Sequence, residues 1–291
     1  MLWIPFTLFA AFMQAWRNAF QNQLSREVST AGVTLARFLY AAPVAGCYLL
    51  ALYAYEPVAL PVFSGSFTLY ILSAALAQVI ATALMVVLFR KRNYAVGVGM
   101  VKSEAVLAAI LGALFFSAPL TGLAWFGVLV GALAFWLMTN PEKLRDMSWD
   151  TLMVGLGSGL AFALTTLWVR EASLELGLPF PYSAAWVLFL VLLCQGVLFG
   201  AWVLLREPHT WQALQLRKGR VLTISVFSCL GSLGWFTAMS LETAALVKTL
   251  GQVEVLFTLM ISAGWLKERL TIRDLLGLVL IVAGAICVVL A

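Results

Sequence analysis

The sequence predicts an all-α polytopic membrane protein with ten transmembrane helices, arranged as two inverted five-helix repeats. Composition sets the class, because 63% of the 291 residues are hydrophobic and only 11% are charged. Mean hydropathy is +0.99, which is typical of a chain that lies mostly in lipid. A repeat at an offset of about 150 residues indicates the internal division. We therefore expect residues 1–145 to form the first repeat and residues 146–291 the second.

Each predicted helix is an apolar run of roughly the 20 residues that cross a bilayer. Charges, prolines and glycines separate the runs. In the first half the runs are residues 2–22, 31–55, 67–89, 95–116 and 120–138. The polar linker Thr139–Asp150 follows and separates the halves. In the second half the runs are residues 151–170, 183–205, 221–240, 245–265 and 272–290.

Basic residues concentrate in alternate loops, which predicts the orientation of the helices. The basic residues of these loops are Arg26, Arg90, Lys91, Arg92, Lys143, Arg145, Arg206, Arg217, Lys218, Arg220, Lys267, Arg269 and Arg273. The intervening loops contain at most one, Arg170, at the end of the sixth run. Basic loops stay on the cytoplasmic side, so both termini are expected outside. The expected location is the cell inner (plasma) membrane, with membrane lipid around the chain.

The two halves align in sequence while the charges of their loops exchange places. Glu104 matches Glu254 at an offset of 150, whereas the basic loop Arg90–Arg92 matches Ser240–Glu242. Two copies whose basic loops swap ends must cross the membrane in opposite directions. Inverted repeats with a polar site between them are typical of secondary transporters that work by alternating access.

Charged side chains inside the apolar runs indicate where such a site lies. Each ionised group at mid-bilayer costs a few kcal/mol, so it is expected to be paired, to face a cavity or to function. Intramembrane tryptophans can stack on an aromatic or cationic ligand, or can simply pack. The candidate substrate-binding residues are Lys102, Glu104, Lys248, Gln252, Glu254, Gln14, Arg17, Arg37, Trp168, Trp186 and Trp235.

Depth along the helices sorts these charges. Glu104 and Glu254 lie about ten residues into their runs, near the midplane at a rise of about 1.5 Å per residue. Arg17 and Arg37 fall towards the cytoplasmic ends, where snorkelling to lipid head groups is an alternative. We expect the two glutamates to approach each other, with lysines satisfying them. One would then keep its proton to higher pH and could carry a proton. The alternative is a static Lys–Glu lock between helices four and nine.

The excess of basic over acidic residues within the spans favours a substrate with a carboxylate, phosphate or sulfonate. A small anionic or zwitterionic metabolite, such as an amino acid, fits best. Efflux of cationic aromatic drugs is an alternative, and a lipid flippase or auxiliary membrane subunit is another. An enzyme is not expected, because HExxH is missing and the sole histidine, His209, lies in a loop. We expect a monomer with no cofactor, no metal and no nucleic-acid partner; the four cysteines are dispersed.

The end of the second repeat resembles the ten-helix EamA branch of the drug/metabolite transporter (DMT) superfamily. The resemblance is carried by the turn Lys267–Thr271 and the Gly-containing final helix, with Arg37 in the second helix. The family usually has Gly at the position of Lys267, and it often has a proline or small residue where this chain has Lys102–Glu104. The resemblance implies a five-plus-five inverted repeat around a central cavity, and alternating-access transport of small metabolites, often outward.

Overall fold

The computed structural model of the chain is built from helices joined by turns. It describes residues 1–91, 101, 103–115, 120–138, 148–264 and 272–291, and these segments contain no β-strand. The helices are α1 (Trp3–Leu24), α2 (Thr30–Phe38), α3 (Ala41–Tyr55), α4 (Gly65–Lys91), α5 (Ser103–Phe115), α6 (Gly122–Met138), α7 (Trp149–Glu175), α8 (Tyr182–Cys194), α9 (Gly200–Arg206), α10 (Pro208–Leu216), α11 (Lys218–Leu241), α12 (Ala244–Leu250), α13 (Glu254–Gly264) and α14 (Ile272–Val289). A π-helical turn (Gln195–Phe199) joins α8 to α9, and a 3-10 turn (Gly251–Val253) joins α12 to α13.

Six helical segments among the described residues are long and apolar enough to cross a membrane. They are Thr30–Tyr55, Gly65–Arg90, Trp149–Glu175, Tyr182–Arg206, Lys218–Leu241 and Ala244–Ile261. Shorter apolar helices cover Ser103–Phe115, Gly122–Ala134 and Val279–Val289. The all-α, multi-pass class is therefore confirmed, while the count of ten spans and the inverted orientation stay predictions. Most of the predicted linker, residues 139–147, lies outside the described residues.

Serine and threonine side chains begin several of these helices. The hydroxyl of Ser29 accepts a hydrogen bond from the backbone of Gly32 at the start of α2. Equivalent caps are formed by Ser64, Thr121 and Ser148 at the starts of α4, α6 and α7. Such a cap satisfies a backbone N–H that the first turn of a helix leaves without a partner.

The second predicted span is interrupted between α2 and α3, directly after Phe38. Pro43 has no N–H, so it cannot bond to the carbonyl four residues back. The hydroxyl of Ser225, on α11, enters the gap: it donates to the carbonyl of Ala36 at 2.6 Å and accepts from the amide of Tyr40 at 3.2 Å. A side chain that inserts into the backbone ladder in this way bends a helix. The break fixes the end of α2 against the second half of the chain.

Helix packing follows the same pattern in the two halves. Helix α4 lies along α7 of the other half, as α11 lies along α1. Helix α5 packs on α7, and α12 and α13 correspondingly pack on α1. Helices that hold the same position in the two halves also pack on each other: α6 on α14, and α3 on α8. This packing makes the centre of the bundle a place where both halves contribute helices, while the duplication itself stays a prediction.

One polar contact between the halves involves Glu27, in the turn after α1. Its carboxylate accepts from Arg217 at 2.8 Å and from Arg220 at 2.5 Å, at the start of α11. Hydrogen bonds from these two guanidinium groups hold the pKa of the Glu27 carboxyl below its usual range. We call this set the Glu27 contact.

A second contact between the halves involves Glu175, at the end of α7. Its carboxylate accepts from the hydroxyls of Ser64 and Ser66, at the start of α4. The far end of α4 lies beside the start of α2, where Arg90 donates to Thr30 at 3.3 Å. Helix α4 has 27 residues and is therefore about 40 Å long. The Glu175 contact and the Glu27 contact thus lie at opposite ends of the bundle.

Candidate functional site

A polar cavity lies between the two halves at the centre of the bundle. Its volume is about 30 Å³. Its polar and charged lining is Gln14, Arg17, Asn18, Arg37, Gln78, Glu104, Thr165, Thr166, Lys248 and Glu254, with Trp235 beside them. That room holds a few water molecules, so this conformation is contracted around its charges.

An ion pair between the halves crosses this cavity. The ammonium of Lys248, on α12, lies 2.8 Å from Oε1 of Glu104, on α5, and both side chains are largely buried. Thr166, on α7, donates to the same carboxylate oxygen at 2.9 Å. The Lys248 ammonium also lies 4.1 Å from the ring centroid of Trp235, which adds a cation–π contact. Glu104 is thus held by one residue from each of two helices of the other half.

Glu254 is held by two amides of α1. Gln14 donates to one carboxylate oxygen at 2.7 Å, and Asn18 donates to the other at 2.9 Å. The carbonyl oxygen of Gln14 accepts from the indole N–H of Trp235 at 2.9 Å. A continuous series of polar contacts therefore runs from Glu104 to Glu254. It passes through Lys248, Trp235 and Gln14. The expectation that a lysine satisfies the carboxylates holds for Glu104.

The two arginines of the first half have different surroundings. Arg17 donates through Nε and Nη2 to the side-chain oxygen of Asn18. Arg37 donates through Nε to Ser228 at 3.2 Å and through Nη1 to Thr82 at 2.6 Å. Arg17 is 1% exposed and Arg37 2% exposed. Neither side chain reaches the surface of the bundle, so the snorkelling alternative is wrong for both.

Two glycines allow the helices of the site to approach closely. A Cβ on Gly251 would lie 2.3 Å from the ring of Trp235, so the absence of a side chain admits this ring beside Lys248. A Cβ on Gly159 would lie 2.1 Å from the hydroxyl of Ser103 and 3.3 Å from the amide of Glu104. Gly159 therefore lets the start of α5 lie against α7, where Thr166 reaches Glu104.

The structure brings together seven of the predicted site residues and separates others. The cavity is lined by Gln14, Arg17, Arg37, Glu104, Trp235, Lys248 and Glu254. Among the described residues, three predicted candidates do not line it. Gln252 packs over Gly131 of α6, and Trp168 packs against the apolar core. Trp186 donates to the hydroxyl of Tyr53 at 3.0 Å. Lys102 lies outside the described residues.

Sequence reasoning did not select several residues that contact the charges. Asn18 and Thr166 bind the two glutamates, and Thr82 and Ser228 bind Arg37. A helical-face argument would have found Asn18, because it lies four residues after Gln14 on the same face of α1. Isolated hydroxyls in apolar runs give no such signal, since Ser and Thr also bond to their own helix backbone.

Comparison with known proteins agrees with this architecture. Residues 149–290 match the EamA-like transporter family. The match is a likeness of the second half of the chain to transporters of the DMT superfamily. It covers the half that contributes Lys248, Glu254 and Trp235 to the cavity.

A solved structure supports the fold over both halves. It is titled only as the crystal structure of a protein, and it matches with a TM-score of 0.68 at 13% sequence identity. The alignment covers 97% of this chain and 98% of that chain. At this identity the likeness shows the fold alone. No curated protein matches the chain.

Proposed function

We propose that this EamA-like protein is a secondary transporter of small anionic or zwitterionic organic metabolites, amino-acid-like in size. The observation that carries the proposal is the central cavity, where buried cations and carboxylates from both halves line one space. Buried charges are expensive in a membrane and persist mainly where they bind or move something. Both signs of charge are present, which suits a substrate that carries a carboxylate with or without an amino group.

The proposed mechanism is alternating access around the cavity. The Lys248–Glu104 pair joins the halves across the site, and its 2.8 Å separation fits the contracted space. A substrate larger than a few waters requires the helices that line the cavity to move apart. A substrate carboxylate that enters near the cations would compete with Glu104 for Lys248. This exchange would couple substrate binding to movement of the halves.

Proton coupling is part of the proposal through Glu254. This carboxylate is held by the neutral amides of Gln14 and Asn18, and it lies in the cavity that would open to either side. Substrate arrival and proton binding would change the charge of the same small space. The expected location is the inner membrane, with both termini outside and ten spans in two inverted halves.

Efflux of cationic aromatic compounds is the alternative. Trp235 is the cavity tryptophan that could stack on such a cation, but the ammonium of Lys248 already lies over its ring. A cation would also meet Arg17 and Arg37 in the same space. A lipid flippase is less well supported, because both arginines lie within the bundle and not at its lipid-facing surface.

Transport by purified protein in liposomes tests the proposal. We expect uptake of a radiolabelled amino-acid mixture to exceed that of empty liposomes, and to respond to an imposed pH gradient. Glu254→Gln should abolish the response to the gradient, because the carboxylate that would carry the proton is removed, while the remaining side-chain oxygen can still accept from one of the two amides. Arg26→Gln, which removes an exposed charge, should behave as the parent protein. Uptake only of organic cations would favour the drug-efflux alternative instead.

A further inference from the structure

We propose that Arg37 and Gln78 together form the subsite for the carboxylate of the substrate, with Gln195 as the residue that positions Gln78. The proposal rests on the transport function above and names the part of the cavity that recognises the anionic group. It is drawn from the hydrogen-bond donors that the described residues leave open in this cavity. Three helical segments meet at the subsite: α2, α4 and the π-helical turn after α8.

Arg37 has open donors in a buried place. A guanidinium has five N–H groups, and the contacts to Ser228 and Thr82 use one on Nε and one on Nη1. Among the described residues the Nη2 group of Arg37 has no hydrogen-bond partner, and no carboxylate lies within ion-pair distance. The side chain is 2% exposed and lines the cavity. A buried charge in this state is stabilised when an anion enters.

The other cavity cations already have side-chain acceptors. Lys248 is bound to the carboxylate of Glu104, and Arg17 directs two of its nitrogens to Asn18. Arg37 instead has two neutral hydroxyls, with the rings of Phe38 and Phe162 at 5.4 and 5.7 Å from its guanidinium carbon. Among the described residues Glu104 and Glu254 act on this charge only from beyond ion-pair distance. Arg37 is therefore the cation most available to a substrate anion.

Gln78 adds a second donor on the same side of the cavity. It lies four residues before Thr82 on α4, so it shares a helix face with the hydroxyl that binds Arg37. Its side-chain oxygen accepts from Nε2 of Gln195 at 2.7 Å. Because the oxygen is engaged there, the amide NH2 of Gln78 is the end left to donate, and Gln78 lines the cavity.

Gln195 determines which end of Gln78 faces the cavity. Its Nε2 also donates to the backbone carbonyl of Ala75 at 3.3 Å. A carbonyl is only an acceptor, so this bond identifies the donating end of Gln195 and, in turn, the accepting end of Gln78. Gln195 is the first residue of the π-helical turn, and such turns are frequent at functional sites.

The donor set fits a carboxylate. The two amino groups of a guanidinium match the two oxygens of a carboxylate in one plane, and a neighbouring amide NH2 can donate to the same group. A compact organic carboxylate is therefore the expected ligand, in preference to a neutral amide of the same shape. The contracted cavity favours small members of this class.

Ligand-induced thermal stabilisation tests the subsite with defined probes. Purified full-length protein is titrated with propanoate and alanine, and in parallel with propanamide, at matched ionic strength. We expect the carboxylates to raise the melting temperature and the amide to leave it unchanged, since binding to the folded state stabilises it. Arg37→Gln should weaken the apparent affinity for the carboxylates about tenfold or more, and Arg37→Lys should weaken it less.

Substitution of Gln195 separates positioning from general scaffolding. In Gln195→Glu the new carboxylate can only accept from Gln78, which turns the Gln78 oxygen towards the cavity. We expect a selective loss of carboxylate affinity, whereas a scaffolding role would lower the melting temperature of the unliganded protein and leave the apparent affinity for propanoate unchanged. Gln78→Met provides a second variant that removes the donor and keeps the volume, if an Arg37 variant does not fold. Arg26→Gln serves as the control for loss of an arginine.

The outcomes distinguish the subsite from the transport function. Carboxylate stabilisation that persists in the folded Arg37 and Gln78 variants overturns the subsite, and so does a parent protein that responds equally to propanoate and propanamide. Liposome uptake by the same preparations is measured separately. Transport of solutes without carboxylate selectivity would leave a transport function with another substrate class and would remove the subsite. Selective binding of carboxylates without uptake would support the subsite and contradict the transport function.

Discussion

Lys248 contacts the carboxylate of Glu104 and the ring of Trp235 at the same time, from a position on α12. Both members of the ion pair are largely buried, so each compensates a charge that would otherwise be desolvated. Thr166 provides a further hydrogen bond to Glu104. Two roles remain for the pair: a fixed lock between the halves, or a pair that opens during transport. Its energetics and its effect on transport can be measured separately.

The first prediction concerns this ion pair. Glu104→Gln or Lys248→Met alone should lower the free energy of unfolding by about 3–5 kcal/mol, because each leaves an uncompensated buried charge or polar group. The double variant should lose less than the sum of the two. Chemical denaturation in detergent measures the three values, with uptake assayed on the same samples. A double variant that recovers both stability and transport would reduce the pair to a lock.

Sequence reasoning located these residues better than their partners. The matched positions of Glu104 and Glu254, each inside an apolar run, were enough to place both at the cavity, because charges in such runs collect in a shared interior. The pairing itself depends on the rotation of α12 relative to α5, which helical spacing within one chain segment does not specify. For the same reason Trp168 and Trp186 looked equivalent to Trp235 in sequence, although Trp235 alone of the three lines the described cavity.

At the level of elements, the second span breaks one residue beyond Arg37, which lines the cavity. Helix α2 ends at Phe38, and the hydroxyl of Ser225 bridges the backbone groups of Ala36 and Tyr40 across the gap. Pro43 is visible in the sequence, but its tolerance within the first turn of α3 is not, since a proline near a helix start need not end the preceding helix. The apolar run 31–55 therefore predicted the span and missed the break.

The second prediction concerns this break. Ser225→Ala removes the bridging hydroxyl, so the amide of Tyr40 and the carbonyl of Ala36 can join directly and change the direction of the chain after Arg37. We expect a stability loss of about 1 kcal/mol, as for one hydrogen bond, but a larger loss of carboxylate affinity and uptake. Thr223→Ala, which removes only a bond to the carbonyl of Gly219 in its own helix, is the control. Parallel losses in the two variants would contradict a specific role for the break.

At the level of the whole molecule, the cavity lies between two contacts that join the halves at opposite ends. The Glu27 contact pairs one carboxylate with two guanidinium groups, and the Glu175 contact pairs one carboxylate with two hydroxyls. They occupy corresponding places, since each joins the end of the first helix of one half to the start of the third predicted span of the other. Both are made in this conformation, in which the cavity is contracted. Movement of one half against the other about the cavity would have to open one contact at a time.

The last prediction therefore tests the two ends independently. In a background with Cys47→Ser, which removes the exposed native thiol, the pair Glu27→Cys and Arg217→Cys should crosslink one end, and Ser66→Cys with Glu175→Cys the other. Either crosslink should stop uptake, and reduction should restore it, because alternating access needs both ends to open in turn. The two ends lie about 40 Å apart along α4. Thr30→Cys with Arg90→Cys joins two elements of the same half and should leave uptake intact. If uptake continues with one end crosslinked, then that end does not open during transport, and the halves move in some other way than by rocking about the central charges.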